Sequence, residues 1–425
     1  MIRRRQLLQA GSSLGALGIL PGCAVVSTGH RAHVVVVGGG YGGATTAKYL
    51  RMWSQGKIRV TLVEPNPSFI SCPLSNLVIG GSKTLADITS SYDKLSAVHG
   101  VEMVRDRVVA IDAERHAVRL AGGAVLSYDR LVVSPGVDFM WDALPGMAKA
   151  GAKESVLHAW KAGEQTVALR KQLEAMPDGG VYALSIPAAP YRCPPGPYER
   201  ACQVAEYFSK AKPKSKVLIL DANEDVTSKG PLFKKAWADR YAGIVEYRNK
   251  HALSDVDAAN KTLKFEFNDD VKASVLNVLP PMRAGELAVN AGMATANQRW
   301  CDVDFLTFES RAIPKVHVIG DAIQIAPAMP KSGHMANQHG KTCAAAIVAL
   351  LTEQPVNPLP IYNNTCYSFV SAEDVVHVSS VHRYDAEKKT MLPVPGAGGV
   401  SAAASELEGR YAHAWARNIW ADTLS

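Results

Sequence analysis

An α/β protein is what this 425-residue sequence predicts, and three observations predict it. A valine run, His33-Val34-Val35-Val36-Val37, leads into Gly38-x-Gly40-x-x-Gly43 and then into a helical pattern through Ala47, Leu50 and Met52. A later apolar strand, Val316-His317-Val318-Ile319, ends in Gly320-Asp321-Ala322 and precedes a second helical pattern. Between them, over about residues 155–285, strand and helix patterns alternate again, but a proline-rich loop stands where a second glycine turn would fall. The fold class expected is α/β, with two Rossmann-like three-layer dinucleotide-binding-type domains, the second degenerate, and a C-terminal α+β interface domain. The expected boundaries are 1–24 for a leader, 31–150 with 286–355 for the first domain, 151–285 for the degenerate one, and 356–425 for the last.

Each element has a local reason. Four consecutive valines suit a parallel strand buried on both faces. The three glycines allow a tight turn, close backbone approach to a pyrophosphate, and close helix–strand packing. The phosphates then meet free N–H groups at the helix N-terminus. The next strand, Ile58-Arg59-Val60-Thr61-Leu62-Val63, ends at Glu64, 21 residues after Gly43, where a carboxylate can accept both ribose hydroxyls of an adenosine. Tyr128-Asp129-Arg130-Leu131-Val132-Val133-Ser134-Pro135-Gly136 closes the first segment as another strand. Asp321 is placed at a sheet edge to bond a ribityl hydroxyl, and the helix over roughly 333–351 aims its positive end at the ring of a flavin. The dinucleotide expected is therefore FAD rather than NAD.

The central stretch departs from a two-nucleotide reductase. After Gly180-Val181-Tyr182-Ala183-Leu184-Ser185 comes Tyr191-Arg192-Cys193-Pro194-Pro195-Gly196-Pro197-Tyr198-Glu199-Arg200. Prolines remove backbone donors and bulky side chains hold the backbone away from a pyrophosphate. Lys216-Val217-Leu218-Ile219-Leu220-Asp221 still ends in an acid. The domain is expected to keep its fold and to have lost pyridine-nucleotide binding.

Composition bounds the rest. The apolar fraction is 47%, which excludes a disordered tail protein. Lys and Arg number 46 against 39 Asp and Glu, a net +7 to which Arg3, Arg4 and Arg5 contribute, so no nucleic-acid partner is expected. Past the first two dozen residues no apolar run approaches 20 residues, and no integral membrane segment is expected. Arg4-Arg5-x-Leu-Leu followed by small and apolar residues reads as a twin-arginine signal cleaved after Ala24, giving a periplasmic protein. The alternative is a lipoprotein box, Leu20-Pro21-Gly22-Cys23, with Cys23 acylated. The seven cysteines are too sparse for a disulfide scaffold, and no His/Cys group has metal-ligand spacing, so no metal is expected.

Taken together, residues 35–43, 69–74, 191–201, 296–302, 318–322 and 364–368 resemble the flavoprotein subunit of flavocytochrome c sulfide dehydrogenase, within the glutathione-reductase-like superfamily. The resemblance implies sulfide oxidation in the periplasm, with electrons passed through FAD to a separate c-type cytochrome subunit in a heterodimer. It implies that Cys72, in Phe69-Ile70-Ser71-Cys72-Pro73-Leu74, bonds the flavin covalently. It also implies that Cys193 and Cys366, from Asn364-Thr365-Cys366-Tyr367-Ser368, form a redox-active disulfide, with Glu199 beside it as a base or proton relay. For Glu199 the alternative is a helix N-terminal acid complementing the dipole. The cofactor set is then Gly38, Gly40, Tyr41, Gly43, Glu64, Cys72, Val108, Ser134, Gly136, Asp321, Ser332 and Gly333. Cys202, Cys301 and Cys343 read as structural thiols, and His334 and His339 as core or flavin-contacting residues. Trp420 reads either as a flavin neighbour or as a surface aromatic against the partner.

Two rival readings stand beside this one. A sulfide:quinone oxidoreductase shares the superfamily and a cysteine pair, but Glu406, Glu408, Arg410, His413 and Arg417 leave the C-terminal segment little apolar face for a membrane. A non-catalytic helper flavoprotein would not need Cys72, Cys193 and Cys366 intact.

Overall fold

Strands buried on both faces make the centre of the molecule, a computed structural model that describes residues 31–425. The twin-arginine motif, Ala24 and Cys23 lie outside the described residues. The first sheet has five parallel strands, in the spatial order Val316–Val318, Arg130–Val133, His33–Val37, Arg59–Val63, Glu102–Val104. Val34, Val35, Val36, Leu131, Val132 and Val133 have no exposed surface, as a valine run covered by helices on both sides requires. The chain returns to this sheet only at residue 316, so its last strand and the long helix Gly333–Leu351 complete a domain begun some 280 residues earlier. That helix packs along Tyr41–Trp53 on one face of the sheet.

A second parallel sheet follows the same logic, in the order Val245–Arg248, Lys216–Asp221, Val181–Ile186, Val275–Val278. The Rossmann-like frame is thus kept where the glycine turn is not. The helix after its first strand begins only at Gly196, and Pro195 precedes it, so the turn offers no glycine nest to a pyrophosphate. Asp221 is spent inside the fold: it accepts Tyr198 Oη at 2.7 Å, Tyr247 Oη at 3.1 Å and the Asn223 amide at 2.7 Å.

The C-terminal unit is an antiparallel sheet of Ile361–Phe369, Val375–Asp385 and Thr390–Pro393, with Gly399–Val400 pairing on the middle strand. The helix Glu406–Leu424 crosses back to the first domain, capped by Ser405, whose Oγ accepts from Glu408 N–H. Lys48 Nζ donates to the Ala421 and Asp422 carbonyls at 3.2 and 2.9 Å, and Asn337 and Lys341 both bond the Asp422 carboxylate at 2.8 Å. Among the described residues no helix is long and apolar enough to cross a membrane.

Candidate active site

The site starts at the glycine turn. Gly38 has φ +93°, and a Cβ on Gly43 would stand 1.9 Å from the Gly38 carbonyl oxygen, so neither position takes a side chain. Neither is among the residues lining the cavity, and both bring strand and helix together; Gly40, which has open space before it, lines the cavity. Glu64 fixes the turn, accepting Gly39 N–H on Oε2 at 2.7 Å, and it also takes Asn66 N–H on Oε1 at 2.8 Å. Oε1 takes the Asn66 side-chain amide as well, at 2.6 Å, so it is Oε2, with a single donor, that keeps acceptor capacity toward the cavity.

From there the cavity runs between the two Rossmann-like sheets and the C-terminal unit. Its walls include Gly40, Tyr41, Glu64, Cys72, Ser134, Gly136, Asp321, Ser332 and Gly333. Tyr41 Oη sits between Ser71 Oγ at 2.7 Å and Trp420 Nε1 at 2.9 Å, and burial raises its hydroxyl above the usual range. Trp420 is therefore an internal, half-buried contact of the flavin-side tyrosine. Ser332 caps the helix Gly333–Leu351, accepting Met335 N–H at 3.0 Å, and donates to Asn364 Oδ1 at 2.6 Å. His334 lines the cavity too, with Nδ1 accepting Thr365 N–H at 3.0 Å; burial lowers it to about 4, so the ring is neutral. His339 is buried and neutral for the same reason.

Asp321 decides whether a flavin fits. Its Oδ1 is buried without a partner among the described residues, and burial holds its carboxyl above the ordinary range. An orphaned acceptor of this kind is costly unless a ligand hydroxyl completes it. The glycine turn, Glu64 and Asp321 lie along one cavity, as a ribityl chain joined to a pyrophosphate and an adenosine requires. The residues present fit FAD.

One expected contact falls elsewhere. Val108 does not line the cavity: it opens the strand Val108–Asp112 opposite Leu120, and that register turns its side chain into the main core.

Cys193 and Cys366 line the same cavity as Cys72. The bond that the resemblance implies between Cys193 and Cys366 is not formed in this structure; both are free thiols, and burial pushes both above the ordinary thiol range. Cys193 has φ +58°, an uncommon conformation for a residue with a Cβ, and is held there by its N–H to the Lys331 carbonyl at 2.8 Å. Cys366 belongs to the strand Ile361–Phe369, where Asn364 Nδ2 approaches its Sγ at 3.4 Å. Cys202, Cys301 and Cys343 are buried away from the cavity.

Glu199 occupies a position that suits either of the two readings given for it. It lies in the first turn of Gly196–Ala211, and it is also a buried wall residue. Oε2 accepts Asn76 Nδ2 at 2.7 Å and Oε1 accepts Phe369 N–H at 2.9 Å; burial outweighs these donors and raises its carboxyl. A chain of buried groups supports it. Arg200, 1% exposed, donates Nε to Asn76 Oδ1 at 3.0 Å and reaches the His158 and Ala159 carbonyls, which fixes which way the Asn76 amide faces.

Sequence reasoning missed Asn76, Arg200, Trp160 and Lys229. Trp160 Nε1 donates to the Arg192 carbonyl at 3.1 Å and packs under the cysteine loop. Lys229 is buried, with Nζ 2.9 Å from the Cys366 carbonyl and 2.7 Å from Ser368 Oγ. None of the four carries a local signal beyond its residue type.

Space around Cys193 gives a test. A Cβ on Gly196 would stand 2.8 Å from Cys193 Sγ and 2.7 Å from the Trp160 ring. Gly196→Ala is expected to retain flavin but to displace the sulfur, and, on the sulfide oxidation that the resemblance implies, to lower flavin reduction about a hundredfold. Stopped-flow bleaching at wild-type rate would show that the sulfur position does not matter.

The molecule's likeness to known proteins agrees with this geometry. Residues 358–424 match the flavin-binding domain of flavocytochrome c sulphide dehydrogenase, 166–280 the central domain of the flavoprotein chain of that enzyme, and 32–179 the pyridine nucleotide-disulphide oxidoreductases. The flavocytochrome c sulfide dehydrogenase flavoprotein chain of Chlorobaculum thiosulfatiphilum is 64% identical over 45 residues, 11% of this chain and 92% of that one. Mitochondrial sulfide:quinone oxidoreductase of Mus musculus is 25% identical over 367 residues, 82% of this chain and 78% of that one. The solved sulfide:quinone oxidoreductase of Aquifex aeolicus superposes with a TM-score of 0.75 at 20% identity, covering 92% of this chain and 91% of its own.

Proposed function

This chain belongs to the flavocytochrome c sulfide dehydrogenase flavoprotein chains, a family of sulfide-oxidising flavoproteins, and on that premise we propose that it oxidises sulfide in the periplasm through Cys193 and Cys366 and passes the electrons to a c-type cytochrome subunit. One observation carries the reading: two cysteines 173 residues apart in sequence line one flavin cavity, Cys193 from a loop that replaces a nucleotide-binding turn and Cys366 from the strand Ile361–Phe369. Bound FAD supplies the two-electron acceptor that can release electrons singly.

The chain's own residues do the sulfur chemistry. With the pair oxidised, hydrosulfide attacks one sulfur, a persulfide forms there, and the other sulfur leaves as thiolate. Glu199, held by Asn76 and the Phe369 N–H, takes and returns the proton of the incoming sulfide and of the thiols in this reading. Cys72 follows the strand Ser68–Ile70 on the cavity wall, and there it is the residue to tether the flavin ring.

Cytochrome reduction is favoured over quinone reduction by the outer face of Glu406–Leu424. Ala412, Ala416 and Ile419 face inward, while Glu406, Arg410 and Arg417 are exposed beside Leu407 and Tyr411, so charge interrupts the apolar part of that face. The test is steady-state turnover of sulfide with a soluble c-type cytochrome and with a short-chain quinone. The cytochrome is expected to be reduced at least about tenfold faster; preference for the quinone would overturn the assignment. Mass spectrometry of the acid-denatured protein is expected to find flavin on the peptide containing Cys72, and release of all flavin would remove the tether. The same spectrum reads the processed N-terminus, expected after Ala24.

A further inference from the structure

Burial raises both thiols, and the same two charged groups, Glu199 and Lys229, act on both, but not in the same order. The strand Ile361–Phe369 turns Asn364, Cys366 and Ser368 to one side, as a period of two requires. Lys229 meets it from the left-handed turn before Gly230–Arg240, bonding the Cys366 carbonyl and Ser368 Oγ. Among the acidic groups acting on this ammonium the Cys366 sulfur comes first, ahead of Glu199, Cys193 and Glu408 of the last helix. Burial lowers Lys229 to about 8, which leaves it charged at neutral pH.

At Cys193 the acid outweighs the lysine, whereas at Cys366 the lysine comes before the acid. After burial and the neighbouring Cys366, the Glu199 carboxylate is the main influence that disfavours its thiolate, with Arg192 and then Lys229 opposing. The start of the helix Gly196–Ala211 would normally favour a thiolate at Cys193, but Glu199 in its first turn offsets that end of the dipole. Cys366 has the Lys229 charge and the Asn364 amide at 3.4 Å; no such hydrogen bond to Cys193 Sγ exists among the described residues.

We propose that Lys229 sets the direction of the exchange: hydrosulfide attacks the Cys193 sulfur, and the Cys366 sulfur departs as a thiolate held by the Lys229 ammonium. This rests on the sulfide reading above. The bond formed joins the incoming sulfur to Cys193 Sγ, and the bond broken is Cys193–Cys366. The electron pair of that bond goes to Cys366 Sγ, the hydrosulfide proton stays on the persulfide or passes to Glu199, and no further oxidant is consumed. Lys229 is a positioning residue, because it acts through Cys366.

The test uses the full-length protein with its flavin. After reduction, short iodoacetamide pulses across a pH series are read at each cysteine by peptide mass spectrometry. At pH 7 Cys366 is expected to alkylate faster than Cys193, Lys229→Met to slow Cys366 about tenfold, and Lys229→Arg to restore most of the rate. Should Lys229→Met not fold, Asn364→Ala reports the same asymmetry by a smaller fall in the same direction. In parallel, one equivalent of sulfide is added to the oxidised protein and the extra sulfur is mapped, with Cys193 the expected carrier. Unchanged Cys366 alkylation in Lys229→Met, or sulfur on Cys366, overturns the proposal while the sulfide reading stands. Sulfur on neither cysteine removes that reading, and the proposal with it.

Discussion

Cys193→Ser is expected to keep its flavin and lose sulfide-dependent bleaching by about a thousandfold or more. The reason is chemical rather than structural. A serine hydroxyl fills nearly the same space in the turn between Lys331 and Gly196, so the cavity walls and the Cys193 N–H contact survive. What disappears is the sulfur that can exchange, and with one member of the pair gone no disulfide can be attacked. Cys366→Ser should fall as far, because two sulfurs acting as one unit are not additive. Anaerobic stopped-flow at 450 nm, with dithionite as a control for intact flavin, measures this (the wavelength is roughly that of the oxidised flavin band). Near wild-type bleaching in either variant would place the chemistry elsewhere and favour a helper flavoprotein.

The second large effect is on the cofactor. Gly43→Ala puts a methyl group 1.9 Å from the Gly38 carbonyl oxygen, where the backbone cannot yield without moving strand or helix. That turn is locked from other sides as well, by Glu64 on Gly39 N–H and by Tyr92 Oη on the Gly39 carbonyl at 3.0 Å. The flavin-to-protein ratio after purification is expected to drop at least about tenfold. Absorbance ratios measure the loss, and circular dichroism distinguishes it from failure to fold. A fully yellow variant would mean that the turn does not hold the pyrophosphate.

Much of the flavin end was legible because its signals are local. Gly38 to Glu64 lie in one strand–turn–helix–strand unit, and the spacing alone says what the glycines and the acid must do. The absence of a second glycine fingerprint after the strand ending at residue 186 was equally legible, but the capture of Asp221 by Tyr198 and Tyr247 was not, since those partners come from a helix and another strand. The sulfur end was legible only through resemblance. No pattern in either segment brings Cys193 to Cys366; the fold alone does so. Lys229 shows the limit most clearly. Before Gly230 and Pro231 it reads as an ordinary turn lysine, and it becomes a buried charge only because a strand 137 residues later lies over it. The placing of Val108 was hidden for a related reason, since pairing opposite Leu120 decides which face a short strand presents.

The clasp of Lys48, Asn337 and Lys341 on Asp422 has a consequence for biogenesis. The wall that carries Trp415, and the helix whose Trp420 bonds Tyr41, come from residues 406–424, some 370 positions after the turn they cover. A nascent chain that has made only its first βαβ unit therefore has half a pocket. All walls of the pocket exist together only once almost all of the described residues have left the ribosome.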